Sequence, residues 1–335
     1  TEMVYQLTEE DRPMKCHEPR PLQPRPREVV ISQRVDLAQT EGELVLADIY
    51  EGRNMEGVER GEINKLLVLE QLPEPVHFSG GMEPISIGGT FTMARVLGTV
   101  PVEPDGSAYM ELPALRSLFL VALDKDDLSV KRMQSFVTIQ PGERTSCVGC
   151  HESKTMSPPN HDLPSASHAV DLTLPPGPQY SGGFSFVRTV QPVLDRYCIS
   201  CHGLEKTEGE IDLLGTPRMV SVPQQPRGTS TPVWSRREVF ANQAVASLLS
   251  RTRFEEGLVN VALRFGETDV SQPKDYFAHA GKLASMLLQG HEGVKLDNDS
   301  FQRIIGWLDL NAQISGSYLP NQPELRTPVA EQELA

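Results

Sequence analysis

Apolar and polar positions follow one rhythm up to about residue 140 and another after residue 183. In the first part the apolar residues come in short β-favouring runs separated by Gly and Pro: Val29 to Ile31, Gly42 to Tyr50 and Ile63 to Leu69. Val96 to Val102 leads to a turn at Pro104-Asp105-Gly106 and on into Ala108 to Leu112. Leu118 to Leu123 then meets Lys125-Asp126-Asp127 before Val130 to Ile139. Strands at this spacing, joined by hairpin turns, predict an antiparallel β-sandwich-like domain over residues 29–146. From Gly183 the period lengthens. Phe186, Val190, Val193, Leu194 and Tyr197 recur at three- and four-residue steps, which predicts an amphipathic helix. Helical periodicity returns over 238–251, 278–289 and 299–313. The last of these carries Phe301, Ile304, Ile305 and Leu308 after the capping candidates Asp297 and Asn298.

Proline sets the boundaries. Pro13, Pro19, Pro21, Pro24 and Pro26 exclude a helix through residues 1–28, leaving an extended arm. Pro158, Pro159, Pro164, Pro175, Pro176 and Pro178 mark 153–183 as a semi-rigid linker, and Pro217, Pro223, Pro226 and Pro232 predict loop over 203–233. The expectation is an α+β multidomain chain: arm (1–28), sandwich (29–146), linker (147–183), helical domain (184–318) and C-terminal tail (319–335).

Composition narrows the class. Apolar content of 39% and charged content of 23% fit a soluble globular protein. No apolar run approaches the roughly 18 residues of a membrane span, so no integral membrane segment is expected. Lys and Arg number 31 against 45 Asp and Glu, and the net charge of −14 argues against nucleic acid and anionic lipid as partners. A solvated acidic surface explains that charge, with a patch steering a basic redox partner as the alternative.

The chemistry lies in two five-residue stretches, Cys147-Val148-Gly149-Cys150-His151 and Cys198-Ile199-Ser200-Cys201-His202. Each reads as a c-type haem attachment site, in which the two thiols add to the vinyl groups and the histidine ligates iron. Two CxxC pairs can also supply four thiolates to one zinc ion. The histidine directly after each pair, in a chain with only 8 His, favours two covalent haems c. Four of the 5 Cys are thereby used, which leaves Cys16, beside His17, as a structural cysteine or a metal ligand. Haem attachment to CxxCH takes place outside the cytoplasmic membrane, so a periplasmic or extracellular protein is expected. Thr1 opens no leader with a basic start and apolar core, and the chain reads as a processed form or a fragment.

The two sites have different settings. Cys198 follows the helix that ends near Tyr197, as in small cytochromes c, so 184–318 reads as a helical cytochrome c-like domain. Cys147 follows a strand, at a seam between domains. For the second iron the candidate distal ligands are His291, at the end of the helix over 278–289, and His279, within it, with Met286 and Met219 behind them. For the first iron Cys16, His17, His77, His161, His168 and Met156 are open candidates.

The run Leu97-Gly98-Thr99-Val100-Pro101-Val102-Glu103-Pro104-Asp105-Gly106-Ser107-Ala108-Tyr109, with Pro141-Gly142-Glu143 before Cys147, resembles the hydrazine synthase alpha subunit and its dihaem relatives. So do Gln191-Pro192-Val193-Leu194-Asp195 before the second site, and Gly290-His291 with Trp307-Leu308-Asp309-Leu310-Asn311 near the end. The resemblance implies a catalytic first haem, with iron bound by a tyrosine four residues beyond the CxxCH histidine; Thr155 stands at that position. It also implies a zinc ion held by His151 and an upstream cysteine matched by Cys16. The second haem, at His202, would be bis-histidine and pass electrons. Its partner in the family comes from a propeller region that precedes these modules, so a propeller-containing subunit or domain is implied as a neighbour.

Three functions follow as expectations. One is a dihaem c-type cytochrome that transfers electrons to a redox partner protein or within a multi-subunit cytochrome complex. Another is an oxidoreductase acting on nitrogen compounds or peroxide at an open first haem, with catalysis at His151. The third is a β-domain adhesion or carbohydrate-binding module that docks a cytochrome.

Overall fold

The computed structural model describes residues 35–73, 86, 93–150, 164–179, 182–205, 207–224, 235–250, 258–262 and 271–316, with 23, 24, 26, 27, 29, 30 and 33 before them. The chain divides into two units, Thr1–Arg34 and Val35–Ala335.

Nine strands and six helices are described. β1 (Glu41–Leu46), β4 (Ala108–Pro113) and β7 (Arg144–Cys147) form a three-stranded sheet in the order β4-β1-β7. β2 (Lys65–Gln71), β3 (Ala94–Pro101), β5 (Leu118–Leu123) and β6 (Ser129–Arg132) form a second sheet, ordered β3-β2-β5-β6. The pairings are antiparallel as expected, except that β7 runs parallel to β1. Leu44, Leu46, Met110 and Leu112 of the first sheet meet Leu66, Val68, Leu120 and Ala122 of the second in one sandwich core.

The second sheet is covered on its other face too. In β2 and β5 successive side chains point to opposite faces, so Leu67, Leu69, Phe119, Val121 and Leu123 enter a different core, shared with the helices. All six residues of β5 are buried. The helical layer comprises α1 (Phe186–Thr189), α2 (Gln191–Tyr197), α3 (Gln243–Ser250), α4 (Phe277–Ala280), α5 (Lys282–Gln289) and α6 (Asn298–Asp309). Trp307, fully buried, packs edge-on against Phe186 with ring centroids 4.9 Å apart, and its Nε1 donates to the Gln313 carbonyl at 3.1 Å. Asp297 caps α6 by accepting from the Ser300 amide at 2.7 Å, as the sequence predicted.

Polar side chains fasten the layers where apolar packing alone would let them slide. The Asp309 carboxylate accepts from the Ser129 hydroxyl at 2.6 Å, the Ser129 amide at 3.1 Å and the Ala278 amide at 3.1 Å. The Arg132 guanidinium lies over Phe119 and Phe277 and donates to the Asp309 carbonyl at 2.8 Å. Burial pulls Arg132 down to about 10, still a cation at neutral pH, and pushes Asp309 up to about 6 against its hydrogen bonds and the nearby Arg132 and His279 charges. On the opposite side Gln313 accepts from the Ala94 amide at 2.9 Å and donates to the Phe184 carbonyl at 2.7 Å.

Three local expectations are corrected. Val29 and Val30 are exposed and not in a strand. The stretch expected as loop over 203–233 contains β8 (Pro217–Gln224), which pairs with β9 (Ser235–Asn242) in a two-stranded hairpin. The helix expected from residue 238 therefore starts only at Gln243, where the Asn242 side chain accepts from the Val245 amide at 2.9 Å. Pro217 and Pro223 are compatible with β8 because a two-stranded ribbon has unpaired edges, where the missing N–H costs nothing.

Candidate functional site

The first pair of thiols continues the sandwich. β7 delivers Cys147 opposite Leu46, and the parallel pairing runs on: the Ala47 amide donates to the Cys147 carbonyl and the Asp48 amide to the Val148 carbonyl, both at 2.9 Å. A parallel bridge joins Gly52 to Cys150, whose amide donates to the Glu51 carbonyl at 2.6 Å. The backbones approach so closely that a Cβ on Gly149 would lie 2.0 Å from the Glu51 carbonyl oxygen, and one on Gly52 2.0 Å from that of Cys150. Glycine at both positions is what lets the motif lie flat on residues 46–52. Cys147 and Cys150 are partly buried against the sandwich core.

Sequence reasoning passed over Lys131, which also belongs to this neighbourhood. It is buried in β6 and its Nζ donates to the carbonyls of Ser271 and Asn54, in the turn that carries Gly52. The available signal was a charged pair, Lys131-Arg132, inside a strand otherwise read as apolar. His151, Cys16, His17, His77, Met156 and His161 lie outside the described residues. His168 is exposed, near the Ser167 hydroxyl.

The second pair grows out of a helix. α2 ends with the Cys198 amide donating to the Leu194 carbonyl at 2.8 Å. The chain then turns so that the Cys201 and His202 amides reach the Cys198 carbonyl at 3.1 and 2.9 Å. This fixes the two thiols and the imidazole within one turn. Burial pushes the Cys198 thiol up to about 11, with the Cys201 charge adding to it. A redox-active CxxC lowers a thiol pKa to create a nucleophile, so Cys198 does not resemble a dithiol-exchange site. Among the described residues none of the four motif cysteines forms a disulfide, and no group of three or more His, Cys, Asp or Glu side chains converges as a metal cluster.

His202 and His291 face each other. Their ring centroids lie 6.0 Å apart with planes inclined by only 15°. That gap is too wide for face-to-face contact, which brings ring atoms to about 3.5–4.0 Å. In distance alone it matches two imidazoles on one metal, whose bonds of about 2 Å on each side place the centroids about 6 Å apart. His202 Nδ1 lies 3.3 Å from the Ile211 carbonyl, an arrangement that assigns the proton to Nδ1 and leaves Nε2 free to ligate. His291 is presented by a tight loop between α5 and α6, in which Gly290, Glu292 and Gly293 all have positive φ and the Val294 amide closes onto the His291 carbonyl at 2.8 Å. The residues present thus fit a haem iron at this second site.

His279, the other sequence candidate, is engaged elsewhere. Its Nε2 lies 2.9 Å from Asp124 Oδ2, close in distance but off the line of an N–H bond. Burial would raise Asp124, but His279 and the Leu128 and Asp126 amides hold its pKa below the ordinary value. Met219 is exposed on β8, and Met286 packs at the edge of the helical core.

Sandwich, shared central sheet and helical layer, with a CxxC pair on each side of that sheet, define an α+β protein with two candidate haem-attachment segments. Residues 60–152 match the family model of the hydrazine synthase alpha subunit middle domain, a span that runs from before β2 to just past the first CxxCH. Over that span the chain is similar to the hydrazine synthase alpha subunit middle domain. Among solved structures, hydrazine synthase from Kuenenia stuttgartiensis matches with a TM-score of 0.56 at 18% identity, over 83% of this chain and 44% of that one. This chain therefore spans less than half the length of that relative, and the likeness is one of fold. A search of curated proteins finds no match. No helix among the described residues is long and apolar enough to cross a membrane.

Proposed function

We propose that this chain is an exported dihaem c-type cytochrome that transfers electrons through haems attached at Cys147/Cys150 and Cys198/Cys201, on a hydrazine synthase alpha-like scaffold. One observation carries the reading: the 6.0 Å, near-parallel pairing of His202 with His291 beside the Cys198–Cys201 turn. A haem held there would supply a one-electron couple. The chain's own groups do the rest. Cys198 and Cys201 would hold that haem through thioether bonds, the Ile211 carbonyl sets the tautomer of His202, and the 290–294 loop presents His291 near it. With both imidazoles as ligands such a haem would suit a carrier better than a catalyst. In this reading 184–316 is a cytochrome c-like layer laid on a sandwich. The physiological neighbour is a redox partner protein or a multi-subunit cytochrome complex, with a propeller-bearing subunit or domain as one component.

The test is spectroscopic. Protein matured in a host that attaches haem c should contain two haems per chain, the second low-spin. His291→Ala should convert that haem to high spin; a second haem that stays low-spin in the variant rejects the ligand assignment.

A second reading concerns the first haem alone. The family match reaches through Cys147 to His151, which favours an oxidoreductase acting there on nitrogen compounds or peroxide. Carbon monoxide binding by the reduced protein separates the two: uptake of one molecule per chain at the first haem supports the enzyme, and no uptake leaves the carrier.

A further inference from the structure

The two carboxylate oxygens of Asp297 do different things. Oδ1 accepts from the Ser300 amide at 2.7 Å and caps α6, while Oδ2 accepts from the Tyr197 hydroxyl at 2.7 Å and from the Arg196 guanidinium at 3.4 Å. The cap needs only the first of these. The second reaches across the sequence to the last turn of α2. There Tyr197 packs against the helical core, and the Arg196 guanidinium lies over its ring, 4.9 Å from the centroid. Hydrogen bonds, first from the Ser300 amide and then from the Tyr197 hydroxyl, hold the Asp297 carboxyl down at about 2, so the acceptor is ionised at neutral pH.

What Oδ2 joins gives the contact its meaning. Tyr197 is followed directly by Cys198, whose carbonyl accepts the His202 amide at 2.9 Å, so the end of α2 sets where His202 stands. Asp297 closes the other segment, because the loop that presents His291 runs from Gly290 at the end of α5 to the α6 cap. The bond from the Val294 amide to the His291 carbonyl fixes the shape of that loop but not its place relative to α2. Phe186, Val193 and Trp307 hold α2 near α6 by apolar contact, which has no direction of its own. A hydrogen bond to a carboxylate has both length and direction.

We infer that Asp297, acting through Tyr197, is a positioning residue for the facing histidines: it pins the segment that carries His202 to the segment that carries His291. The inference rests on a haem at Cys198 and Cys201 with His291 as its second imidazole, as proposed above. Cutting the tie should leave both segments folded and let His291 swing away from His202 more often. Arg196 is exposed, and its ion pair adds little to the Tyr197 bond.

The experiment is a cyanide titration of the ferric, haem-loaded chain followed by electron paramagnetic resonance. The low-spin signal that His291→Ala removes belongs to the second haem. Cyanide replaces that signal once His291 has left, so its apparent affinity scales with the fraction of chains in which the histidine is away. Tyr197→Phe, which keeps the ring and the α6 cap, should raise that affinity about threefold. Asp297→Asn, which keeps an oxygen for the cap, should do the same. Gln302→Ala cuts a different bond of α6, the one to Asp127, and should leave the affinity at its wild-type value; this separates positioning from a general loosening of the helix. Loss of the second haem in the Tyr197 and Asp297 variants, with retention in the Gln302 variant, would also support the tie. An unchanged affinity in Tyr197→Phe or an equal rise in Gln302→Ala overturns the inference, as does loss of the second haem in all three variants. A wild-type chain that takes up no haem at Cys198 and Cys201, or whose low-spin signals all survive His291→Ala, overturns instead the reading of the second site on which the inference rests.

Discussion

Cys147 lies at the end of a strand and Cys198 at the end of a helix, and the same spacing of thiols is produced by different hydrogen bonds. At the first site the motif is laid against residues 46–52 by inter-strand bonds, so its geometry depends on a partner segment distant in sequence. At the second the motif is wound on itself, the amides of Cys198, Ile199, Cys201 and His202 answered by carbonyls three to five residues back. The first is therefore sensitive to the shape of a neighbouring backbone and the second to the packing of α2 in the helical core. The second also has a facing histidine among the described residues, whereas the first has a buried lysine.

This contrast can be broken experimentally. The largest effect should come from Trp307→Ala, which removes a fully buried aromatic from the core under α2 and should destabilise the protein by about 3–5 kcal/mol. Denaturant unfolding gives the cost. The variant should also lose its second haem before its first, and equal loss at both sites would show that the helical core does not support the second motif specifically.

Gly149→Ala should be milder, on the order of 1–3 kcal/mol, because the strands must part to admit a methyl group 2.0 Å from the Glu51 carbonyl oxygen. Its signature is selective: haem attachment at Cys147 and Cys150 should fall while the second site loads normally. Mass spectrometry of the intact chain would read this directly, and full double loading would mean that the close approach is not needed.

The subtlest test lies between the sites, at Asp309. Burial raises its folded-state pKa to about 6, above the unfolded value near 3.8. A raised carboxyl binds a proton in the folded chain that the unfolded chain has released. The stability it contributes is complete below about pH 4 and is lost as pH rises through about 6. Asp309→Asn should flatten this slope, so the melting temperature of wild type should fall relative to the variant between those pH values. Parallel pH profiles would show that Asp309 does not titrate in this window.

How much of this was legible beforehand varies with the range of the interaction that decides it. The two motifs, the capped α6 and the strands from β3 to β5 are written locally, in residue spacing and turn chemistry. The β8–β9 hairpin was missed because its prolines resemble loop punctuation until the pairing of Pro217 with Asn242 is known. The start of α3 was misplaced because Glu238 to Asn242 have a helical period locally yet are claimed by β8, and pairing outweighs propensity. His291 was legible as a histidine at a helix end. Its meeting with His202 depends on the 290–294 loop, and His279 could be set apart only once Asp124 was beside it. Lys131 carries no motif, and only the fold brings it to the turn around Cys150.

The central sheet, apolar on both faces, has a consequence for how such a protein can be taken apart. A sandwich severed from the helices would expose Leu67, Leu69, Phe119 and Val121 as one sticky plane, and the freed helices would expose the matching surface around Phe186 and Val193. Neither portion is a portable cassette. A piece that keeps both faces of this sheet covered therefore contains both motifs.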